Sequence, residues 1–179
     1  MRKLFLLLAG AALFTACNNE TKPATTGSDT TSSKAPATLA YTPNYSSSFK
    51  MGNSDYSAMI VQGSWKDWEM NTMDNMKSWV ADTIVAFHSD NSMIKGIDSL
   101  QARWKRGRAG YTSVIDTVHS VLAAYSTDKN EDWVLVWAKE INTDIKGKID
   151  TVELMETWRI NKDGKADRLY QYDRHTRKQ

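Results

Sequence analysis

From Asp55 onward the chain switches between two hydrophobic periods, and the order of the switches predicts the architecture. In "DYSAMIVQGSWKDWEMN" (55–71), Met59, Ile60, Trp65 and Trp68 recur at mostly helical spacing with charges between them. Asn71 or Thr72 is placed to cap a second short helix, in which Met76, Trp79 and Val80 fall at i, i+3 and i+4. The period then shortens. "DTIVAFH" (82–88) is β-branched and aromatic and reads as a strand. Gly96 breaks the chain, and "IDSLQARWKRG" (97–107) returns to helical spacing, with Ile97, Leu100 and Trp104 on one face. Four strand-like runs follow, at 113–125, 132–141, 149–160 and 166–173. Lys146–Gly147 and "NKDGK" (161–165) separate the last three as hairpin turns. Helices gathered ahead of a meander of long strands predict an α+β fold. We expect a curved antiparallel sheet with three N-terminal helices across its concave side, forming a cone with a pocket at its mouth.

Upstream the periodicity disappears. "NNETKPATTGSDTTSSKAPATLAYTPNYSSS" is rich in Thr and Ser and holds all three prolines, Pro23, Pro36 and Pro43. Too little apolar surface is present to offset the entropy of ordering it. Residues 17–53 are expected to be a tether, with Tyr41, Tyr45 and Phe49 available to pack back on a domain at 54–175; residues 176–179 form a short tail. The segment before the tether, "MRKLFLLLAGAALFTAC", has a basic start and an apolar run from Leu4 to Ala16. Thirteen residues are too few to cross a bilayer as a helix, and the layout of 1–16 is that of a secretory signal. Cys17 is the only cysteine, which excludes an internal disulfide. "LFTAC" resembles the lipobox of bacterial lipoproteins, although Phe14 and Thr15 are not its usual residues. The resemblance implies lipidation of Cys17 and attachment to a membrane of the bacterial cell envelope; an ordinary cleaved signal with an incidental cysteine is the alternative. Acyl chains hold firmly because each buried methylene contributes about 0.8 kcal/mol.

Charge narrows the partners. Without Arg2 and Lys3, the 23 basic residues become 21, equal to the 21 acidic ones. A neutral chain offers no concentrated positive face for nucleic acid. Three histidines and one cysteine give a metal site little to work with, and no cofactor is implied. Cations at "RWKRGR" (103–108) suit the negative end of a helix, or anionic lipid headgroups.

Between 55 and 174 the chain resembles nuclear transport factor 2-like (SnoaL-like) domains. "DNMKSWVADTIVAFHSDNSMIKGIDSLQARW" carries the likeness through Asp82 opening the first strand, the turn at 89–91, Gly96 starting the third helix and Trp104 closing it. "VELMETWRINKDGKADRLYQYD" resembles the final hairpin, with Trp158 before the turn and Asp163–Gly164 in it. Such domains include isomerases, dehydratases and cyclases as well as pocketed proteins without known chemistry, so the fold alone leaves function open. In the ketosteroid-isomerase-like branch, the resemblance puts a carboxylate base at Phe87, a protonated acid at Glu156 and a donor tyrosine near Gly63. One of the three is present.

"HSD" at 88–90 holds the residue types of a hydrolase triad, but adjacent side chains on a strand point to opposite faces, and a strand-end turn is the better reading. His119 lies in "VIDTVHSVL" as a core histidine or a pocket residue. Glu156 alternates with Leu154 and Trp158, so that burial would raise its pKa; it is either an acid or a paired structural carboxylate. Phe87, His119, Glu156 and Trp158 are thus the candidate ligand-binding residues. Non-catalytic binding of a small apolar ligand or a protein partner is the leading expectation. A SnoaL-like isomerase, cyclase or hydro-lyase using Glu156 and His119 is the alternative, and a homodimer through the outer sheet face is a third.

Overall fold

A computed structural model describes residues 39–175; Cys17, the signal segment and the tail at 176–179 lie outside them. The first helical stretch is α-helical over Ser54–Ile60 (α1), widens to a π-helix over Val61–Lys66, and is α-helical again over Asp67–Met70 (α2). The wide turn brings three consecutive residues, Gly63, Ser64 and Trp65, to the buried side. A Cβ on Gly63 would stand 2.4 Å from the Trp79 ring, so only glycine lets the helix approach that indole. Asn71 ends this helix in the left-handed conformation (φ 57°), satisfying carbonyls of α2 through its own N–H. It is therefore a C-cap, not the N-cap of the next helix. That next helix is a 3₁₀ turn at Met73–Asn75 followed by α3 at Met76–Trp79. Val80, expected on its apolar face, instead opens the first long strand.

Seven strands form one sheet in the order β1-β4-β5-β6-β7-β2-β3. They are β1 (Phe49–Met51), β2 (Val80–Phe87), β3 (Met93–Lys95), β4 (Tyr111–Ser126), β5 (Glu131–Asp144), β6 (Ile149–Ile160) and β7 (Ala166–His175), with helix α4 (Ile97–Arg108) between β3 and β4. The meander β4–β7 is antiparallel as expected. The last two hairpins use one device twice. The side-chain Oδ1 of Asp144 accepts from the N–H groups of Lys146 and Lys148, and that of Asn161 from Asp163 and Lys165, while Gly147 and Gly164 take positive φ.

Three features depart from the expected pattern. The sheet is mixed, because β2 runs parallel to β7; α4 and four strands separate the two in sequence, so no tight turn dictates their relative direction. "MIK" at 93–95 is a short strand hairpinned to β2. Phe49–Met51, at the far end of the tether, pairs with β4.

The curved sheet buries one face. Val134, Val136 and Ala138 of β5 and Trp158 and Ile160 of β6 pack against Ile60, Trp65, Met76, Leu100 and Trp104 from the helices. Trp158 is fully buried, with Trp79 and Trp104 edge-on to it at 5.5 and 6.1 Å. Among the described residues no helix is long and apolar enough to cross a membrane.

Candidate functional site

The core does not fill the concave side completely. A cavity of about 440 Å³ remains between the first helix, the C-terminal turns of α4 and the inner faces of β5, β6 and β7. Trp65, Trp68 and Trp104 wall it from the helices, and Val152 and Leu154 from the sheet. Polar groups reach it from His88, Glu140, Asn142, Glu156 and Gln171, and Arg103 and Arg106 also line it. Alternation along the strands sorts these residues: 138, 140 and 142 share the inner face of β5, as do 154, 156 and 158 of β6.

Two carboxylates at this site are buried, Glu156 at 3% exposure and Glu140 at 8%. Glu156 accepts from Ser64 Oγ and Trp158 Nε1 on Oε2, both at 2.9 Å, and from Gln171 Nε2 on Oε1 at 3.0 Å. Burial raises its pKa, and the three donors oppose that rise. Gln171 is its cross-strand neighbour, and the π turn supplies Ser64. His88 completes the chain of contacts, with Nδ1 3.3 Å from Gln171 Oε1.

Glu140 accepts from Trp68 Nε1 at 2.7 Å and Asn142 Nδ2 at 2.6 Å. Directly across the ladder lies Asp116, whose carboxyl oxygens are shielded from solvent and accept from no N–H or hydroxyl, and whose carboxyl lies in hydrogen-bonding reach of Glu140. Two facing acids repel when both are ionised. Burial first, and then the Glu140 charge, push the Asp116 pKa up to about 8. Glu140 is raised too, chiefly by burial. Arg108 tempers the cluster. It is buried and donates to the carbonyls of Trp68, Tyr111 and Glu69 at 2.9, 2.9 and 3.1 Å, while its charge favours ionised Glu140.

The residues singled out from the sequence separate here. Glu156 lines the cavity. Trp158 lies in the core and acts on the site by donating to Glu156. Phe87 faces the other way and stacks on Tyr170 at 5.1 Å; with Ile84 and Ala86 buried on the inner face, it is His88 that turns toward the cavity. His119 sits at a β-bulge between Val118 and Ser120. Its ring is half-exposed, 3.6 Å from Glu153, in a shallow groove with Trp137 and Tyr172. A Glu156–His119 pair across the cavity is thereby excluded. The "HSD" triplet forms no triad: His88 meets Gln171, Ser89 donates to Asp173, and Asp90 accepts from the Ser92 N–H and Arg103. The basic run also divides, since Arg108 is buried and Arg103 is paired with Asp90.

Three residues escaped the sequence reading, Gln171 and the pair Asp116–Glu140, and His88 was read only as part of a strand-end turn. Period-two counting from Ile84 and Ala86 would have found His88. Among the described residues no group of three or more His, Cys, Asp or Glu side chains is arranged to hold a metal.

No protein-family model matches the sequence, and no curated protein is similar to it. Solved structures are. The chain is similar to the Δ5-3-ketosteroid isomerase of Mycobacterium sp., at 16% identity and TM-score 0.53, over 68% of this chain and 98% of that one. It is similar to an NTF2-like protein of unknown function from Exiguobacterium sp. 255-15, at 16% identity and TM-score 0.52, over 68% and 98%. A SnoaL-like protein of Jannaschia sp. CCS1 matches at 13% identity and TM-score 0.53, over 66% and 83%. The fold is that of the nuclear transport factor 2-like, SnoaL-like domains, α+β with a curved, unclosed sheet.

Proposed function

We propose that the cavity binds a small, flat, largely apolar molecule bearing a polar group, and that acylated Cys17 holds the chain at a membrane of the bacterial cell envelope. One observation carries the binding reading. The cavity is walled by three indoles, yet the polar side chains of Glu140, Asn142, Glu156 and Gln171 converge on it from the sheet. Apolar walls with a few convergent polar groups suit such a ligand. Gly107 offers the test, because a side chain there would extend toward Trp68 in ordinary contact. Calorimetric titration of the protein with planar aromatics should show binding that weakens on warming. Gly107→Phe, which fills the mouth, should abolish it with the fold intact. Binding unchanged in that variant would remove the reading.

The anchor rests on "LFTAC" and its lone cysteine. Palmitate labelling of cells should mark the wild type and spare Cys17→Ala; equal labelling of both refutes the anchor. A homodimer through the outer sheet face is part of the same proposal, and a monomer mass by light scattering removes it.

A catalytic reading is favoured by a different observation. Asp116 and Glu140 face each other with raised pKa values, which suits proton transfer near neutral pH. An isomerase, cyclase or hydro-lyase would use this pair together with Glu156. It predicts that 2-tetralone exchanges its α-protons for deuterium faster with the protein than in buffer, and that Glu140→Gln stops the exchange. No exchange above the buffer rate rules it out.

A further inference from the structure

The contacts around Glu156 also settle which atom His88 offers. A carboxylate only accepts hydrogen bonds, and Ser64, Trp158 and Gln171 all donate to this one. A proton on Oε2 would only reverse the Ser64 contact, since a hydroxyl accepts as well as donates, and Oε1 would still accept from Gln171. The Gln171 amide must therefore turn its NH₂ toward Glu156, which sends its carbonyl oxygen toward His88 Nδ1 at 3.3 Å. An amide oxygen cannot donate, so Nδ1 carries the hydrogen. Burial disfavours the charged ring and lowers the His88 pKa; Arg103 acts in the same direction and Asp90 against it. A neutral ring protonated on Nδ1 leaves a bare lone pair on Nε2. That atom has no partner and is covered in the unliganded chain, at a residue that lines the cavity, so a ligand reaches it when the ring or a covering side chain turns.

We infer that His88 is the recognition residue of the cavity: its Nε2 accepts a hydrogen bond from a hydroxyl on the flat apolar ligand, with Gln171 and Glu156 as positioning residues that fix the ring. The inference rests on the cavity being a ligand site and names the group by which the ligand is chosen. It also reverses the preference of imidazole in water, where the Nε2-protonated form predominates. Asp90 and Arg103, the charged neighbours, are paired with each other at 2.5 Å and leave the ring to Gln171.

Two measurements test it. Long-range ¹⁵N–¹H spectra of the ¹⁵N-histidine protein report the tautomer directly, and with three histidines in the chain His88→Asn assigns the signals. The unliganded wild type should show a pyrrole-type Nδ1 and a pyridine-type Nε2 at His88, and Gln171→Leu should revert toward the Nε2-protonated form. An Nε2-protonated His88 in the wild type overturns the relay, whatever the variant does. For the ligand, 2-naphthol should bind roughly 10-fold more tightly than naphthalene, and His88→Phe should erase the difference. Equal binding of the two probes to the wild type overturns the His88 role and leaves the cavity reading standing. Binding of neither overturns both, and the nitrogen signals of the unliganded protein then decide the relay by themselves.

Discussion

Two acidic centres lie on the inner face of one sheet and solve burial in opposite ways. Around Glu156 each carboxylate oxygen has a donor, and the donors come from the π turn, from β6 and from β7. At Asp116 and Glu140 a like-charged pair shares a rung, with donors on Glu140 and none on Asp116. The first arrangement makes a fully hydrogen-bonded carboxyl into a rigid hub that orients its neighbours. The second keeps a proton loosely held where a ligand or substrate could take it. A satisfied acid positions; an unsatisfied pair titrates.

Removing the hub should have the largest effect. Glu156→Leu leaves three buried donors unpaired and should cost about 3–5 kcal/mol in urea unfolding. Glu156→Gln, able to keep some of those bonds, should lose less than half of that. Next comes Arg108→Met, which strands three carbonyls and removes the counter-charge of Glu140. A loss of about 2–3 kcal/mol is expected, with a Glu140 pKa higher than in the wild type by carboxyl-carbon NMR.

Asp116→Asn should act in the other direction and depend on pH. Its pKa is raised to about 8 in the folded chain, against about 3.9 unfolded. Between those values the folded state holds a proton that the unfolded state has released, so wild-type stability falls as pH climbs from about 4 to about 8 and is level above. The variant lacks that fall. It should match the wild type at pH 4 and exceed it by a few kcal/mol at pH 9, because a pKa raised from about 3.9 to about 8 integrates to roughly 5 kcal/mol before solvent screening of the partly exposed pair reduces it. Unfolding curves at the two pH values check the sign. The smallest effect belongs to the outer face. His119→Gln should change stability by less than about 0.5 kcal/mol and leave ligand binding untouched, since its contact with Glu153 is half-exposed.

The same contrast explains what could be read from the chain. Glu156 was legible because Leu154, Glu156 and Trp158 alternate within one strand, and local period alone decides which face they share. The helices, the meander and both hairpin turns were legible for the same local reason. Asp116 and Glu140 lie on different strands, and their meeting depends on the β4–β5 register, which the bulge at His119 resets. The parallel pairing of β2 with β7 depends likewise on distant contacts. His88 was locally legible and hidden by something else, since the resemblance drew the choice to its neighbour Phe87. Arg108 looked like one more helix-end cation until the packing of two helices enclosed it.

The claim that the cavity is a ligand site is tested most directly by the seven tryptophan side chains themselves. Indole N–H signals of the ¹⁵N-labelled protein, followed by NMR as 2-naphthol is added, separate cavity from surface residue by residue. The indoles of Trp65, Trp68 and Trp104, which wall the cavity, should shift together and saturably. Those of Trp133 and Trp137, on the other face of β5, should stay in place. Shifts confined to Trp133 and Trp137, or no saturable shift at any of the seven, would contradict the account.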